Sequence, residues 1–112
     1  AFAAARDTAL AGTVSKAQRT AANAALLTVE RSFARDGGLK SRPWYRTLIY
    51  ASDVDNGYSS MVFPGVNEAI RYGTEAETQA EVADLVARFE AAAKALDTAR
   101  AALAVKPTPA KR

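Results

Sequence analysis

A mostly α fold is what the sequence predicts: a small bundle of two long helices and one short helix, wrapped by a long ordered loop with at most a short strand or hairpin. Three observations predict it. Alanine makes up 27 of the 112 residues and gathers on both sides of one stretch, Gly37–Gly65. Each flank contains a segment that opens with a capping box and continues with apolar residues at helical spacing. The stretch between them holds five of the nine aromatic residues, and its glycine, proline and Asn-Gly signals mark it as loop.

Taken in order, Ala1 to Ala11 is helix-permissive and gives way at Gly12-Thr13-Val14, where glycine and two β-branched residues weaken the helix. Residues 1–14 thus read as an N-terminal helical segment, either a complete first helix or the truncated end of a longer one. The opening Ala-Phe-Ala, without methionine, reads as a processed or excised start. The body runs from 15 to 104. Ser15 and Gln18 form the first capping box, and Ala22, Leu26, Val29 and Phe33 make one apolar stripe, with Leu27 beside it. This helix is expected to reach Arg35 and to stop at Asp36-Gly37-Gly38, where glycine accepts a left-handed cap. Arg31 and Arg35 then serve as solvated cations at its last turns. Leu39–Tyr50 reads as extended chain, since Arg42 precedes proline and Trp44 to Tyr50 is rich in aromatic and β-branched residues. Asp53–Ser60 is turn, centred on Asn56-Gly57. Phe63-Pro64-Gly65 leads into a short helix, Val66–Tyr72, which Gly73 closes.

Thr74 and Glu77 form the second capping box, opening a helix expected over Glu75–Leu103. Val82, Leu85, Val86, Phe89, Ala93, Leu96 and Leu103 are expected to share its apolar face. Asp84 with Arg88 and Glu90 with Lys94 are then i,i+4 pairs on the wet side. Its alanines permit close approach by another helix. Pro107 and Pro109 make 105–112 a flexible C-terminal tail.

Composition removes several function classes. An apolar share of 49% is ordinary, but with 27 alanines the larger side chains are few. Burial stabilises by roughly 25 cal/mol per Å² of apolar surface, so the core is thin and gains from a partner surface. The chain has no cysteine, which removes disulfides, thiolate nucleophiles and sulfur-ligated metals, and no histidine, the usual general base and commonest metal ligand. Zinc hydrolysis and Ser-His-Asp or Cys-His catalysis by this chain alone are therefore excluded, and no catalytic or metal-ligating residue is assigned. No window is apolar enough for a membrane span. The net charge of +3 comes from Lys106, Lys111 and Arg112; without the tail the body carries twelve charges of each sign. Nucleic-acid binding needs a basic face on the folded body, so none is expected.

Two constellations in the loop invite chemistry. Asp53-Val54-Asp55-Asn56-Gly57 fails the calcium-loop register, because the sixth and twelfth positions are Tyr58 and Pro64 rather than glycine and glutamate. Its aspartates read as turn formers. Trp44, Tyr45, Tyr50, Tyr58 and Phe63 could stack bases or sugars, but alanine-rich helix faces leave space for bulky groups, so packing is the expectation. Tyr58, beside flexible Gly57, is the one expected to present its hydroxyl outward.

The ordered series Val29-Glu30-Arg31-Ser32-Phe33, Gly38-Leu39, Arg42-Pro43-Trp44-Tyr45-Arg46, Leu48-Ile49-Tyr50-Ala51 and Phe63-Pro64-Gly65-Val66 resembles the transferrin receptor-like dimerisation domain of glutamate carboxypeptidase II-type zinc peptidases. The resemblance covers about residues 16–104. It implies a non-catalytic, C-terminal helical domain that forms a homodimer, docks on its own peptidase domain and extends its long loop into the substrate pocket. There a Lys-Tyr pair contacts the carboxylate of a C-terminal glutamate. The tyrosine matches Tyr58, implied to bind substrate, while Gly57 stands in the lysine's place. Zinc and the catalytic groups are implied for the parent's peptidase domain, with no cofactor in this chain, and a peptide substrate only for the full-length enzyme. A periplasmic or secreted parent agrees with the resemblance. The alternative reading is a free-standing helical module that binds a small ligand or peptide through its aromatic loop.

Overall fold

A computed structural model describes residues 1–12 and 14–104. The elements are α1 (Phe2–Ala11), α2 (Lys16–Arg31), β1 (Tyr50–Ser52), β2 (Ser60–Val62), α3 (Pro64–Tyr72) and α4 (Glu75–Ala104). The fold is mostly α with one short hairpin, as the sequence predicts. The tail expected at 105–112 lies outside the described residues. The described residues form two compact units, one made of 1–30 and 91–104, the other of Arg31–Glu90.

In the first unit, α2 opens on the expected capping box. The Ser15 N–H donates to Gln18 Oε1 at 3.1 Å and the Gln18 N–H to Ser15 Oγ at 3.2 Å. The Gln18 amide also donates to the Leu103 carbonyl at 3.4 Å, so the start of α2 lies beside the end of α4 and the two run antiparallel. The buried positions are alanines: Ala22 and Ala25 on α2, and Ala92, Ala95 and Ala99 on α4. A methyl side chain lets helix backbones approach to the short end of the 8–10 Å packing range. Leu26 and Val29 are half-buried beside them, and Leu27 is exposed. α1 buries no residue.

In the second unit, α2 ends four residues earlier than Arg35. The backbone beyond Ser32 is taken by another partner: the Leu48 N–H donates to Phe33 O and the Arg35 N–H to Arg46 O, with an antiparallel bridge between Ala34 and Thr47. The turn that follows needs Gly38, whose φ is +62° and whose missing Cβ would lie 2.0 Å from the Pro43 carbonyl oxygen. Leu39, Leu48 and Ala51 form the core, with Tyr45 and Leu85 packed on it. β1 and β2 pair antiparallel with Ala51 opposite Met61, the two inward residues of the ribbon. Phe63 then takes the left-handed conformation, φ 45° and ψ 58°, costing of order 1 kcal/mol. Pro64 starts α3 at its first turn.

α4 keeps its expected bounds to within a residue but not its expected face. Val82, Val86 and Phe89 are exposed, and only Leu85 of that group joins the core. Inward positions on this half of the helix carry charge instead. Asp84 and Arg88 do pair at 3.0 Å, yet Arg88 also donates to the Ser32 and Ala34 carbonyls, just beyond the end of α2. These are structural partners rather than a solvated couple.

Candidate functional site

The hairpin between β1 and β2 presents the residue that the sequence singles out. Tyr58 is fully exposed at its tip. The tip is shaped by its own polar groups. The Asp53 N–H donates to Ser59 O at 2.7 Å and the Gly57 N–H to Asp53 O at 2.9 Å. Asp53 Oδ1 accepts the Asp55 N–H at 2.8 Å, and Asn56 Oδ1 accepts the N–H groups of Tyr58 and Ser59. Gly57, at φ +71°, supplies the left-handed residue the Asn-Gly signal predicts. The aspartates are turn formers, as expected, and have a second role. Arg71 Nη1 donates to Asp53 Oδ2 at 3.2 Å and to Asp55 Oδ2 at 2.8 Å, and the Tyr72 hydroxyl donates to Asp55.

This network shifts its members. The Asp55 N–H, with Arg71 behind it, holds the Asp53 carboxyl below its usual range. Hydrogen bonding to Asp53 raises Arg71, and hydrogen bonding to Asp55 raises Tyr72. Each shift favours the form that makes the contact.

Below the hairpin, Arg42 and Glu68 form a buried ion pair. Arg42 Nη1 donates to Ser52 O at 2.8 Å, Nη2 donates to Glu68, and the guanidinium lies 4.8 Å from the Tyr45 ring centroid. Ser41 Oγ donates to the same carboxylate. The Tyr45 and Ser52 hydroxyl oxygens lie 3.1 Å apart. Arg35, expected as a solvated cap, instead donates to Glu81, to Asp84 at 3.2 Å and to Gly38 O at 2.8 Å. Its burial opposes the charge, but Glu81 and Asp84 outweigh that and raise it. A groove of about 380 Å³ opens beside Lys40, Glu68, Tyr72 and Glu77. Its charged walls are already paired: Lys40 and Glu77 with each other, Glu68 with Arg42 and Glu81 with Arg35.

The aromatic residues do not pack as expected. Tyr45 joins the core, whereas Trp44 is 73%, Tyr50 61% and Phe63 37% exposed. Phe63 meets Phe89 edge-on at 6.1 Å, and Phe89 meets Phe33 at 4.9 Å. Val82, Val86, Phe89 and Phe63 form an exposed apolar ridge on the second unit, with Phe33 half-buried beside it. Sequence reasoning did not find the roles of Arg71, Arg42 and Glu68. Arg71 stands 18 residues from Asp53 and Arg42 26 from Glu68, and no local spacing signals either pair.

Metal chemistry has no donor set here. The chain lacks histidine and cysteine, and among the described residues no three carboxylates gather as a metal site. No described helix is long and apolar enough to cross a membrane.

The family profile of the transferrin receptor-like dimerisation domain matches residues 2–97, nearly the whole described chain. The chain belongs to that family. Relatives of this dimerisation domain include an inactive zinc metalloprotease of Schizosaccharomyces pombe, 40% identical over 60 residues, covering 54% of this chain and 7% of that protein. A probable glutamate carboxypeptidase of Arabidopsis thaliana is 40% identical over 58 residues, covering 52% and 8%. One of Arthroderma benhamiae is 44% identical over 43 residues, covering 38% and 6%. The domain thus spans less than a tenth of the length of each of these relatives. No solved structure matches it.

Proposed function

We propose that this chain is the non-catalytic dimerisation domain of a zinc-dependent, glutamate carboxypeptidase-like peptidase, and that its hairpin lends Tyr58 to that enzyme's substrate pocket. Membership of the dimerisation-domain family over residues 2–97 carries the reading. The exposed ridge of Val82, Val86, Phe89 and Phe63 supports it, because apolar rings at a surface gain most when a second copy covers them. In this reading zinc and the catalytic groups belong to the peptidase domain. Tyr58 offers a phenol hydroxyl as a hydrogen-bond partner for a substrate carboxylate. Gly57 offers no cation beside it.

Sedimentation equilibrium tests the self-association. A dimer is expected, with Phe89→Glu and Val86→Glu each shifting it to monomer. A dimer that survives both substitutions removes this ridge as the interface, and a monomeric parent chain removes self-association.

The exposure of Trp44, Tyr50 and Tyr58 favours a second reading, a free-standing module that binds a small ligand or peptide through its aromatic loop. The reading frame upstream of Ala1 separates the two. Several hundred residues with metal-ligand histidines support the peptidase, and a start codon at or just before Ala1 supports the module.

A further inference from the structure

Two strands of three residues make a ribbon too short to hold a direction by itself. The hydrogen bonds inside the tip, from Asp53 to Ser59 and around Asn56, set its shape but not its heading. The heading is set by α3. This helix is tied at its start, where the Asn67 amide donates to the Val62 carbonyl at 2.7 Å and Glu68 is buried on Arg42. Its last turn reaches back to the tip. One guanidinium nitrogen of Arg71 bonds two carboxylates, Asp53 at 3.2 Å and Asp55 at 2.8 Å, while neighbouring Tyr72 bonds Asp55. The Asp53 side chain is 12% exposed, while Arg71 and Asp55 stand more open to water. Tyr58 lies three residues beyond Asp55.

Resting on the reading that Tyr58 serves a substrate pocket, we propose that Arg71 is its positioning residue. The guanidinium clamps both aspartates of the hairpin to the end of α3 and thereby sets where the Tyr58 hydroxyl stands, without touching substrate itself. Because a single nitrogen makes both bonds, a lysine ammonium can take them over a shorter reach, so it should restore the function only in part.

The experiment uses the full-length protein that carries the domain, with a dipeptide ending in glutamate as the kinetic probe. Arg71→Ala is expected to speed amide hydrogen exchange over residues 54–58 by about three- to tenfold while exchange in α4 stays unchanged. KM should rise by a similar factor with kcat within about twofold, since a misplaced binding group weakens substrate capture. Arg71→Lys should recover part of both effects. Asp55→Asn cuts the same clamp from the exposed side and should reproduce the exchange effect even where Arg71→Ala fails to fold. Unchanged tip exchange in both variants overturns the proposal. So does faster exchange spread evenly through the domain, which marks a merely structural contact. Tyr58→Phe separates this from the parent reading. If that variant raises KM while Arg71→Ala leaves tip and KM alone, positioning by Arg71 falls and the pocket role of Tyr58 stands. If Tyr58→Phe leaves KM unchanged but the tip still loosens in Arg71→Ala, the pocket role falls and the clamp stands.

Discussion

Tyr58 and Gly57 sit side by side at the hairpin tip, one fully exposed and the other at φ +71° with nothing within 4 Å of where its Cβ would be. The tip therefore has room for a side chain but the wrong backbone for one. Gly57→Lys is expected to cost about 1 kcal/mol of stability, the left-handed penalty for a residue with a Cβ. In the full-length protein it should also lower KM for a peptide ending in glutamate relative to one ending in leucine, because it restores a cation beside the phenol. Equal KM values for the two peptides in this variant would remove the tip from the substrate site. Tyr58 was legible in the sequence because an Asn-Gly turn exposes its neighbour. The second role of Asp53 and Asp55 was not, because their partner lies on α3 and is brought near only by the fold.

Among the elements, the helix starts were the most legible. Both capping boxes form as read, since the i,i+3 exchange of hydrogen bonds is local: the Thr74 N–H donates to Glu77 and the Glu77 N–H to Thr74 Oγ1 at 3.2 Å. Thr74→Ala should cost about 1 kcal/mol, read as a lower urea midpoint at unchanged slope. Helix ends and faces were less legible. α2 loses its last turn to pairing with residues 46–48, and α4 turns alanines and charges inward where its larger apolar residues were expected. Spacing assigns residues to a face, but the neighbour decides which face is wanted. The loop is locked to α3 by Arg42 and Glu68, side chains 13% and 10% exposed. Glu68→Ala strands a buried guanidinium and should cost about 3–5 kcal/mol, with Glu68→Gln costing less. Equal, small losses in both variants would mean that Arg42 finds water when its partner is removed.

For the whole molecule, the charge network sets how stability follows pH. Asp53, Glu77 and Asp84 all stand below their ordinary carboxyl range. The Asp55 N–H lowers Asp53, Lys40 lowers Glu77, and Asp84 is raised by burial but lowered further by Arg88 and Arg35. A depressed folded value adds stability above the unfolded pKa, and that stability is lost as pH falls through the folded one. The urea midpoint should be flat from neutral pH down to about 5 and should decline below about 4. Arg35 and Arg71 stay charged through this whole window, so the loss follows the protonation of their carboxylate partners. A midpoint unchanged down to pH 2 would show that these pairs contribute nothing net. Composition had already bounded what the molecule can do: the sequence has no histidine or cysteine, and the thin alanine-rich core gains from a partner surface.

By itself the sequence determined the mostly α class, the starts of α2 and α4, the Asn-Gly hairpin tip and the family resemblance, all of which rest on residues within a turn of one another or on their order. Only the tertiary structure decided which helix faces are buried, that the loop aromatics lie largely at the surface, and that Arg35, Arg42 and Arg71 each pair with carboxylates distant in sequence. Those ion pairs join residues 16 to 49 apart. An ion pair is made by what lies opposite, and no spacing along a chain records that.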